Sequence, residues 1–348
     1  MDKRDIKNFT LEEMKKAVVE IREPGYRAGQ IFFWLYKKGV CDFQKMSNLP
    51  QAFMSRLEQD YYISALSLSG KLRSTDGTEK FLFDLGDGNF IETVLICARD
   101  RKTVCLSTQV GCKFGCVFCA SGHGGFIRDL SPSEITNQIL FLQHKLKHKI
   151  TNYVFMGMGE PLNNCDNVLK AIMIMNSKSG MDIGARRIIV STCGVIPGIR
   201  RLTDMGLQIN LSISLHAATD NLRDTLVPVN RRYPLKELIK ASEHFIKKTG
   251  RILTLEYVLI KGKNDSLKDA DGLEVIARRL KAKVNLIPCS PVPGLGFQPP
   301  SKKDIDIFMA RLVQGRIKVT RRESKGKDIQ AACGQLAGRL KQTADCEI

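Results

Sequence analysis

The sequence is short of acidic residues and has no long apolar run that could cross a membrane. Its 348 residues include 54 Lys and Arg against 36 Asp and Glu, a formal net charge of +18 at pH 7. The longest stretch without a charged side chain, residues 284–301, contains five prolines, which a membrane-spanning helix does not tolerate. The opening MDKRDIK is charged, unlike the apolar core of a signal peptide. We therefore expect a cytoplasmic protein without membrane association.

Cysteine usage and charge narrow the class of protein further. Hydrophobic residues make up 43% of the chain, enough for a packed core. The eleven cysteines are an odd number, and in a reducing compartment cysteines at motif spacing bind metal or take part in catalysis more often than they form structural disulfides. The positive surplus suggests a polyanionic partner, although charge alone does not separate RNA from DNA or a membrane surface. Basic doublets recur at residues 186–187, 200–201, 231–232, 278–279, 302–303 and 321–322.

Changes of pattern divide the chain into four parts. Residues 1–64 predict a helical accessory unit, a candidate for contact with RNA. Residues 65–100 contain short apolar runs separated by two Asp-Gly pairs, which predict a β extension built from hairpins. From residue 101 to 325, apolar strands alternate with amphipathic helices, a pattern typical of a parallel sheet with helices outside it. Residues 326–348 form a separate C-terminal segment.

The strand count predicts the fold class. The predicted strands are residues 103–107, 153–156, 187–192, 208–215, 252–259 and 283–287, with a last one near 317–320. The clearest helix, residues 132–147, begins after an N-cap at Ser131. Six units are too few for a closed eight-unit barrel, so we predict an α/β fold with an open, partial (βα)6 barrel. Ligands of such sheets bind at the carboxyl ends of the strands.

Three cysteines follow the first barrel strand in the spacing Cys-x3-Cys-x2-Cys: Cys112, Cys116 and Cys119. Three thiolates can hold three irons of a cubane cluster and leave the fourth iron open to a small molecule. A structural zinc site requires a fourth ligand, for which His123 is the candidate. The cysteines could also be small packed residues, but the glycines and charges around them indicate a loop.

The triplet is the signature of radical S-adenosylmethionine (SAM) enzymes, and the chain resembles that superfamily. Phe118 precedes the last cysteine, and the segment MGMGEPL at 156–162 follows the second strand, where those enzymes bind the SAM amino group. Over residues 20–340 the chain is similar to the RlmN/Cfr family of RNA methyltransferases. The further segments that carry this resemblance are VCLSTQVGC at 104–112, SLHA at 214–217, NLIP at 285–288 and DIQAACGQL at 328–336.

The resemblance implies a mechanism and its residues. A 4Fe-4S cluster on the three cysteines reduces one SAM to a radical, while a second SAM per turnover donates the methyl group. The methyl-accepting cysteine corresponds to Cys333, the resolving cysteine to Cys105, with a transient disulfide between them, and the acid/base carboxylate to Glu92. The implied SAM contacts are Gly159, Glu160, Ser191, Ser214, Leu215, His216 and Asn285.

Each of these residues also has a purely structural interpretation that does not depend on the resemblance. Taken alone, Cys105 is a core cysteine of a strand, Cys333 is a small residue in a turn, and Glu92 is the solvent-facing side chain of a strand. His216 could be a buried, hydrogen-bonded histidine, and Asn285 could cap the end of a strand. The cysteines outside the motifs are expected to be ordinary reduced thiols: Cys41, Cys97, Cys165, Cys193, Cys289 and Cys346.

The resemblance also implies the substrates and partners. They are 23S rRNA and tRNA, with a flavodoxin or ferredoxin as electron donor, and the enzyme is expected to be a monomer. Pro161 and Pro288 are similar to the RlmN branch, which methylates carbon 2 of adenine, whereas the Cfr branch methylates carbon 8. Carbon-8 methylation, or a non-catalytic iron-sulfur or zinc protein that binds nucleic acid, remain the alternatives.

Overall fold

The computed structural model describes residues 3–98 and 100–338. The predictions for Cys346 and for residues 339–348 of the C-terminal segment lie outside the described residues. The first elements are β1 (Arg4–Asp5), α1 (Leu11–Glu20), α2 (Arg27–Phe32), α3 (Gln51–Asp60) and β2 (Tyr61–Tyr62). Thr10 and Glu13 form a reciprocal capping box at the start of α1. These elements enclose a small apolar core of their own.

The N-terminal helical unit packs directly on the barrel. Its apolar core includes Leu140 and Ile174, which belong to barrel helices. The side chain of Lys7 is buried at this junction, where its Nζ donates to Asn137 Oδ1 at 2.9 Å and to Ser64 O at 2.8 Å. Burial lowers the pKa of this ammonium group. The two parts of the chain therefore share both apolar and hydrogen-bonded contacts.

Three antiparallel strands follow, namely β3 (Ser67–Arg73), β4 (Glu79–Asp84) and β5 (Phe90–Ala98). The turns between them contain the two Asp-Gly pairs. Gly77 and Gly88 adopt φ angles of 84° and 82°, in the left-handed region that favours glycine. The hairpins therefore form where the Asp-Gly pairs predicted them.

The barrel itself alternates strands and helices. In chain order its elements are β6 (Arg101–Cys105), β7 (Gln109–Gly111), α4 (Ala120–His123), β8 (Phe126–Asp129), α5 (Pro132–Leu140), β9 (Asn152–Phe155), α6 (Cys165–Asn176), β10 (Ile188–Thr192), α7 (Ile196–Asp204), β11 (Asn210–Ser214), α8 (Asp220–Leu226), α9 (Leu235–Thr249), β12 (Thr254–Leu259), α10 (Leu267–Leu280), β13 (Lys283–Pro288), α11 (Lys302–Gln314) and β14 (Val319–Arg321). Ser131 caps α5 and shares a capping box with Glu134, as predicted. The predicted helix 132–147 is shorter than expected, because α5 gives way to a π-helical turn at Phe141–Lys145.

The central sheet has ten strands in the order β14-β13-β12-β11-β10-β9-β6-β5-β4-β3. Strands β6 and β9 to β14 are parallel, and β5 to β3 continue the sheet in antiparallel pairs. The first and last strands of this order are not paired with each other, so the barrel is open. The predicted α/β fold with an open partial barrel is confirmed. No helix of the described residues has the length and apolar character that crossing a membrane requires.

Residues 326–338, the described part of the C-terminal segment, cross the open side of the barrel to the antiparallel strands. Asp328 accepts a hydrogen bond from Ser74 Oγ at 2.6 Å, and the backbone N–H of Gly326 donates to Asp76 Oδ2 at 2.9 Å. Further along, Lys80 Nζ donates to the carbonyl oxygen of Gln330 at 3.2 Å. The β extension thus anchors the part of the chain that carries Cys333.

Candidate active site

A cavity of about 860 Å³ runs along the inner face of the sheet. Cys105, at the end of β6, and Met156, just after β9, line it near the carboxyl ends of the strands. Asn210 and Lys283, which begin β11 and β13, line it at the amino ends. The C-terminal segment contributes Cys333 to the wall. The cavity therefore spans the height of the barrel and reaches the predicted site at its carboxyl end.

The cysteine loop is held in place by a short hairpin. Gly111, the last residue of β7, has a φ of 73°, and a Cβ there would lie 1.8 Å from the carbonyl oxygen of Gly125. Only glycine allows this close approach. The next residue, Cys112, donates its backbone N–H to the same carbonyl at 2.9 Å. The hairpin β7–β8 thus fixes the start of the loop that carries all three cysteines.

The three thiols of the loop lie in a low-dielectric environment. Burial raises the pKa of Cys112 to about 12 and that of Cys116 well above its usual value, and the neighbouring thiols add to the rise at Cys116. Burial also raises the pKa of Cys119. Nearby thiols of this kind become thiolates when a bound cation compensates their charge, as iron does. The donor set therefore fits an iron-sulfur cluster.

A cubane cluster and a single metal ion make different demands on these thiols. Among the described residues, no three His, Cys, Asp or Glu side chains converge on one ion. A 4Fe-4S cubane does not require such convergence, because each thiolate binds a different iron. His123, the candidate fourth zinc ligand, is exposed, and its Nε2 lies 2.9 Å from the carbonyl oxygen of Val117 in the same loop. This arrangement does not favour His123 as a zinc ligand.

Glu160 follows β9 and lies beside the cysteine loop. Its carboxylate accepts hydrogen bonds from the backbone N–H of Leu162 at 3.0 Å and of Cys193 at 2.8 Å. Burial raises the pKa of Glu160, and these hydrogen bonds act in the opposite direction. Gly159 before it has a φ of 91°, and a Cβ there would lie 2.5 Å from the Cβ of Gln109. The buried carboxylate is thus oriented next to the loop, an arrangement suited to an ammonium group.

The ends of β10 and β11 lie side by side. Ser191 Oγ and Ser214 Oγ are 3.2 Å apart. The side chain of Leu215 is buried, and its carbonyl oxygen accepts a hydrogen bond from Arg223 Nε at 3.0 Å. Two predicted serine contacts therefore form one polar pair, while the backbone N–H of Leu215 donates to the carbonyl oxygen of Glu256 at 3.0 Å.

His216 is a buried and neutral histidine. Its Nδ1 accepts a hydrogen bond from the backbone N–H of Val258 at 3.0 Å, and its ring meets Phe118 edge to face at 5.0 Å. Burial, aided by the nearby positive charge of Arg223, lowers the pKa of His216 to about 3. The sequence-based alternative of a buried, hydrogen-bonded histidine matches this geometry, and a role in SAM binding stays a prediction.

The low pKa of His216 predicts a dependence of stability on pH. Below pH 6.5 the unfolded chain binds a proton at this ring, whereas the folded chain does not until about pH 3, so stability falls as the pH falls. We expect a loss of about 1.4 kcal/mol per pH unit from this group between pH 6 and 4. The measurement is the free energy of unfolding in urea at several pH values.

The control for this prediction is His216→Asn. Asparagine tolerates the φ of 59° at this position and offers Oδ1 to the N–H of Val258, but it does not titrate. The difference in unfolding free energy between the wild type and this variant isolates the histidine from all other titrating groups. A difference that stays constant from pH 7 to pH 4 would contradict the prediction.

Asn285 lies on β13 and faces a carboxylate that the sequence analysis missed. Its Nδ2 donates to Glu256 Oε1 at 3.1 Å. Glu256 is buried on β12, lines the cavity, and has a pKa raised by burial. Its Oε2 has no hydrogen-bond partner among the described residues. Glu256 is therefore an available acceptor for a hydroxyl or amino donor of a bound ligand, and nothing in the strand pattern distinguishes it from its neighbours.

The structure brings Cys105, Cys333 and Arg322 together in the cavity wall. Burial is the main cause that raises the pKa of Cys105 to about 12, and nearby Cys333 adds to it. Proximity to Cys333 is in turn the largest cause that raises the pKa of the Arg322 guanidinium. The two cysteines lie 228 positions apart in the sequence. Sequence analysis paired the two cysteines only through the family resemblance, and it named Arg322 only as part of a basic doublet.

Cys333 also lies beside the cysteine loop. The carbonyl oxygen of Gly334 accepts a hydrogen bond from the backbone N–H of Ala120 at 2.7 Å. Ser121 Oγ donates to the carbonyl oxygen of Leu336 at 2.6 Å. These bonds tie the C-terminal segment to the residues that follow Cys119, so the predicted methyl acceptor and the predicted cluster ligands lie at one end of the cavity.

Glu92 lies on β5, and its side chain is fully buried. Its carboxylate forms an ion pair with Lys80 at 2.9 Å and accepts hydrogen bonds from the backbone N–H groups of Ala337 at 2.7 Å and Gly338 at 3.1 Å. The interpretation of Glu92 as a solvent-facing strand residue is wrong, because the C-terminal segment covers this face of the sheet. Glu92 is not among the residues that line the cavity.

Arg223, on α8, is a third residue that the sequence analysis did not assign to the site. It is completely buried, and its guanidinium donates to the carbonyl oxygens of Leu215, Cys193 and Ser214 and to Asn230 Oδ1. It thus joins the loops after β10 and β11. The other cysteines of the described chain are free thiols, exposed at Cys41, half-buried at Cys97 and buried at Cys165, Cys193 and Cys289.

Comparison with known proteins gives two family matches. Residues 106–271 match the radical SAM superfamily. Residues 4–63 match the N-terminal domain of ribosomal RNA large subunit methyltransferases. The first match covers the cysteine loop and four of the parallel strands, β9 to β12, and the second covers the helical unit.

Full-length relatives agree with these matches. The chain is 45% identical to the "Probable dual-specificity RNA methyltransferase RlmN" of Caldicellulosiruptor saccharolyticus, across 97% of this chain and 98% of that protein. It is 44% identical to the dual-specificity RNA methyltransferase RlmN of Geotalea uraniireducens, across 98% of both. The crystal structure of a radical SAM methyltransferase from Sphaerobacter thermophilus superimposes with a TM-score of 0.90 at 42% identity, covering 97% of this chain and all of that one.

Proposed function

The chain belongs to the RlmN family of radical SAM RNA methyltransferases, and from that premise we propose that it methylates carbon 2 of an adenine in 23S rRNA and in tRNA. Members of the superfamily carry a 4Fe-4S cluster and use SAM. One observation carries the proposal for this chain: Cys333, Cys105 and Cys119 line the same cavity.

Carbon 2 of adenine calls for an unusual route of methyl transfer. It is an electron-poor amidine carbon and does not attack the electrophilic methyl group of SAM. When bound, the cluster and SAM supply one-electron chemistry in place of polar transfer. This chain holds the cluster through Cys112, Cys116 and Cys119. Glu160, with Gly159, receives the SAM ammonium group beside the loop.

The polar groups along β10 to β13 orient the rest of SAM. Ser191 and Ser214 present hydroxyl groups that are 3.2 Å apart. Asn285, hydrogen-bonded to Glu256, offers an amide to the sugar hydroxyls, while Leu215 and His216 supply backbone and ring contacts at the end of β11. Two SAM molecules are used per turnover, one as methyl donor and one as radical source.

Cys333 is the methyl acceptor, and Cys105 releases the product. After the methyl carbon has bonded to carbon 2 of the base, the base remains linked to the sulfur of Cys333. The thiolate of Cys105 attacks that sulfur and a Cys105–Cys333 disulfide forms. The electron pair of the broken carbon-sulfur bond returns to the methyl carbon, which takes up a proton. An external thiol reductant then restores both cysteines.

Glu92 is the proposed acid/base that removes the proton from carbon 2. Its carboxylate is held by the backbone of Ala337 and Gly338 and does not line the cavity. Contact with the base therefore requires the C-terminal segment to move off this carboxylate.

The proposal also includes the partners of the enzyme. A flavodoxin or ferredoxin supplies the electron, and the N-terminal helical unit contacts RNA. The enzyme works as a monomer in the cytoplasm.

The decisive test is the identity of the methylated nucleoside. Anaerobically reconstituted protein, SAM, a reductant and unmodified ribosomal RNA or tRNA are expected to yield 2-methyladenosine, detected by mass spectrometry of the digested RNA. Formation of 8-methyladenosine would reassign the enzyme to the Cfr type of product and leave the cysteine roles in place. SAM cleavage without any methylated adenosine would show that the RNA substrate is wrong.

A further inference from the structure

The cavity opens toward solvent at the amino ends of the barrel strands through a ring of residues that we call the amino-end mouth. Arg101 and Lys283 begin β6 and β13, Asn210 begins β11, and Arg251 and Ile252 precede β12. All five line the cavity. The mouth lies at the far end of the cavity from Cys333, and no motif of the sequence analysis includes these residues.

The cations of the amino-end mouth have no acidic partners. Within residues 3–98 and 100–338, none of Arg101, Arg251 and Lys283 forms an ion pair, and Arg251 donates to the neutral amide oxygen of Asn210. Several cations on the outer helices are paired with carboxylates instead, as in Arg201–Asp166, Arg279–Glu243 and Arg311–Asp271. Uncompensated positive charge at the rim of a low-dielectric cavity attracts anions strongly.

The opposite end of the cavity is covered. Besides the bonds from Ala120 and Ser121 to the C-terminal segment, Gln335 Nε2 donates to the carbonyl oxygen of Pro291 at 2.8 Å. The C-terminal segment is therefore fastened both to the cysteine loop and to the loop after β13. At the amino-end mouth, in contrast, the cavity-lining residues Arg101 and Ile252 are exposed to solvent.

The rim also offers an apolar contact for a base. The side chain of Ile252 is 56% exposed, although it lies at the edge of a cavity in a well-packed barrel. Enzymes that modify a base take it out of its stack and pack it against aromatic or apolar side chains. A volume of about 860 Å³ is also within the range of pockets that bury a drug-sized ligand such as a nucleoside.

We propose that the amino-end mouth is the entrance through which the target nucleotide of the RNA reaches Cys333. The base passes Ile252 into the cavity, and the phosphates on either side of it bind Arg101, Arg251 and Lys283. The identity of the base rests on the proposed function. The position of the entrance rests instead on the unpaired cations of the mouth and on the shape of the cavity. Cations elsewhere on the surface contribute less to RNA affinity than these three.

The test compares two pairs of substitutions that remove equal charge. Arg251→Ala/Lys283→Ala changes the mouth, whereas Arg200→Ala/Lys268→Ala removes two exposed, unpaired cations from the outer helices α7 and α10. Binding of a fluorescein-labelled hairpin of unmodified ribosomal RNA is followed by anisotropy, without SAM or reductant. The mouth pair is expected to weaken binding by about tenfold or more and to lower the salt slope by about 1.5, because two phosphate contacts are lost.

Three further measurements make the result decisive. Charge-retaining Arg251→Lys/Lys283→Arg should restore the affinity, and SAM cleavage in the absence of RNA should be unchanged in all variants, which shows that the fold is intact. If the outer pair of substitutions weakened RNA binding equally, or if the mouth pair bound RNA with wild-type affinity, the proposed entrance would be wrong. A third outcome separates the two proposals. If wild-type protein yielded no methylated adenosine but the mouth pair still lost RNA binding, the proposed function would be refuted and the entrance supported.

Discussion

Cys333→Ala is expected to abolish methylation of RNA while SAM is still cleaved. The substitution removes the sulfur that we propose as the methyl acceptor, and loss of a covalent nucleophile is expected to reduce turnover to below about 0.1% of the wild-type rate. The cluster ligands and Glu160 are unchanged, so SAM cleavage without coupled methylation should continue. The measurement is the ratio of 5′-deoxyadenosine to methyladenosine, both by mass spectrometry. Methylation at the wild-type rate would exclude Cys333 as the methyl carrier.

Cys105→Ala provides the matched contrast to this result. Without the resolving thiol, the base stays bonded to the sulfur of Cys333, and each protein molecule keeps one RNA. Denaturing gels should show protein and RNA migrating together, in an amount close to that of the active enzyme. The double variant Cys105→Ala/Cys333→Ala should form no such adduct. Free methylated RNA released by Cys105→Ala at the wild-type rate would contradict the disulfide step.

Cys119→Ala is expected to have the second large effect, loss of the cluster and of all SAM cleavage. With two thiolates left in the loop, a cubane cannot keep three of its irons bound to protein, so iron after reconstitution should fall from about four atoms per chain to nearly none. Iron analysis and the visible absorption of the cluster measure this directly. They do not depend on RNA, so they test the ligand assignment separately from the substrate.

Cys97→Ala is the control for the loss of a cysteine. Cys97 is a half-buried free thiol on β5, away from the cysteine loop, and truncation there removes one sulfur without touching a predicted ligand. This variant should bind iron and cleave SAM as the wild type does. If Cys97→Ala lost the cluster and Cys119→Ala kept it, the assignment of the triplet would be wrong.

The strands and the cysteine loop could be predicted because their signals are local. Apolar runs of strand length between amphipathic helices predicted each parallel strand within two residues of its observed end. The Asp-Gly pairs placed the hairpins, because the left-handed φ at Gly77 and Gly88 is a property of two adjacent residues. The cysteine spacing and the glycines beside it likewise lie within one short loop.

Residues whose role depends on distant partners could not be predicted in this way. Glu256 is one of several alternating residues on β12, and only the folded barrel brings its carboxylate to Asn285 on β13 and into the cavity wall. Arg223 holds the loops after β10 and β11 together, and this role depends on carbonyl groups that only the folded chain brings to it. Taken alone, the strand pattern around Glu92 predicts a solvent-facing side chain, because the segment that buries it comes 245 positions later in the sequence.

The long-range anchoring of the C-terminal segment affects the order in which the enzyme folds during its synthesis. Ser74 and Asp328, which hold one end of the segment, are separated by 254 positions, and Glu92 meets Ala337 within the last dozen residues of the chain. A ribosome synthesises the helical unit, the hairpins and the parallel strands before it adds these residues. The barrel can therefore form around a cavity that still lacks Cys333, the residue that we propose as methyl carrier. Residues 326–338 close the open side only after they have left the exit tunnel.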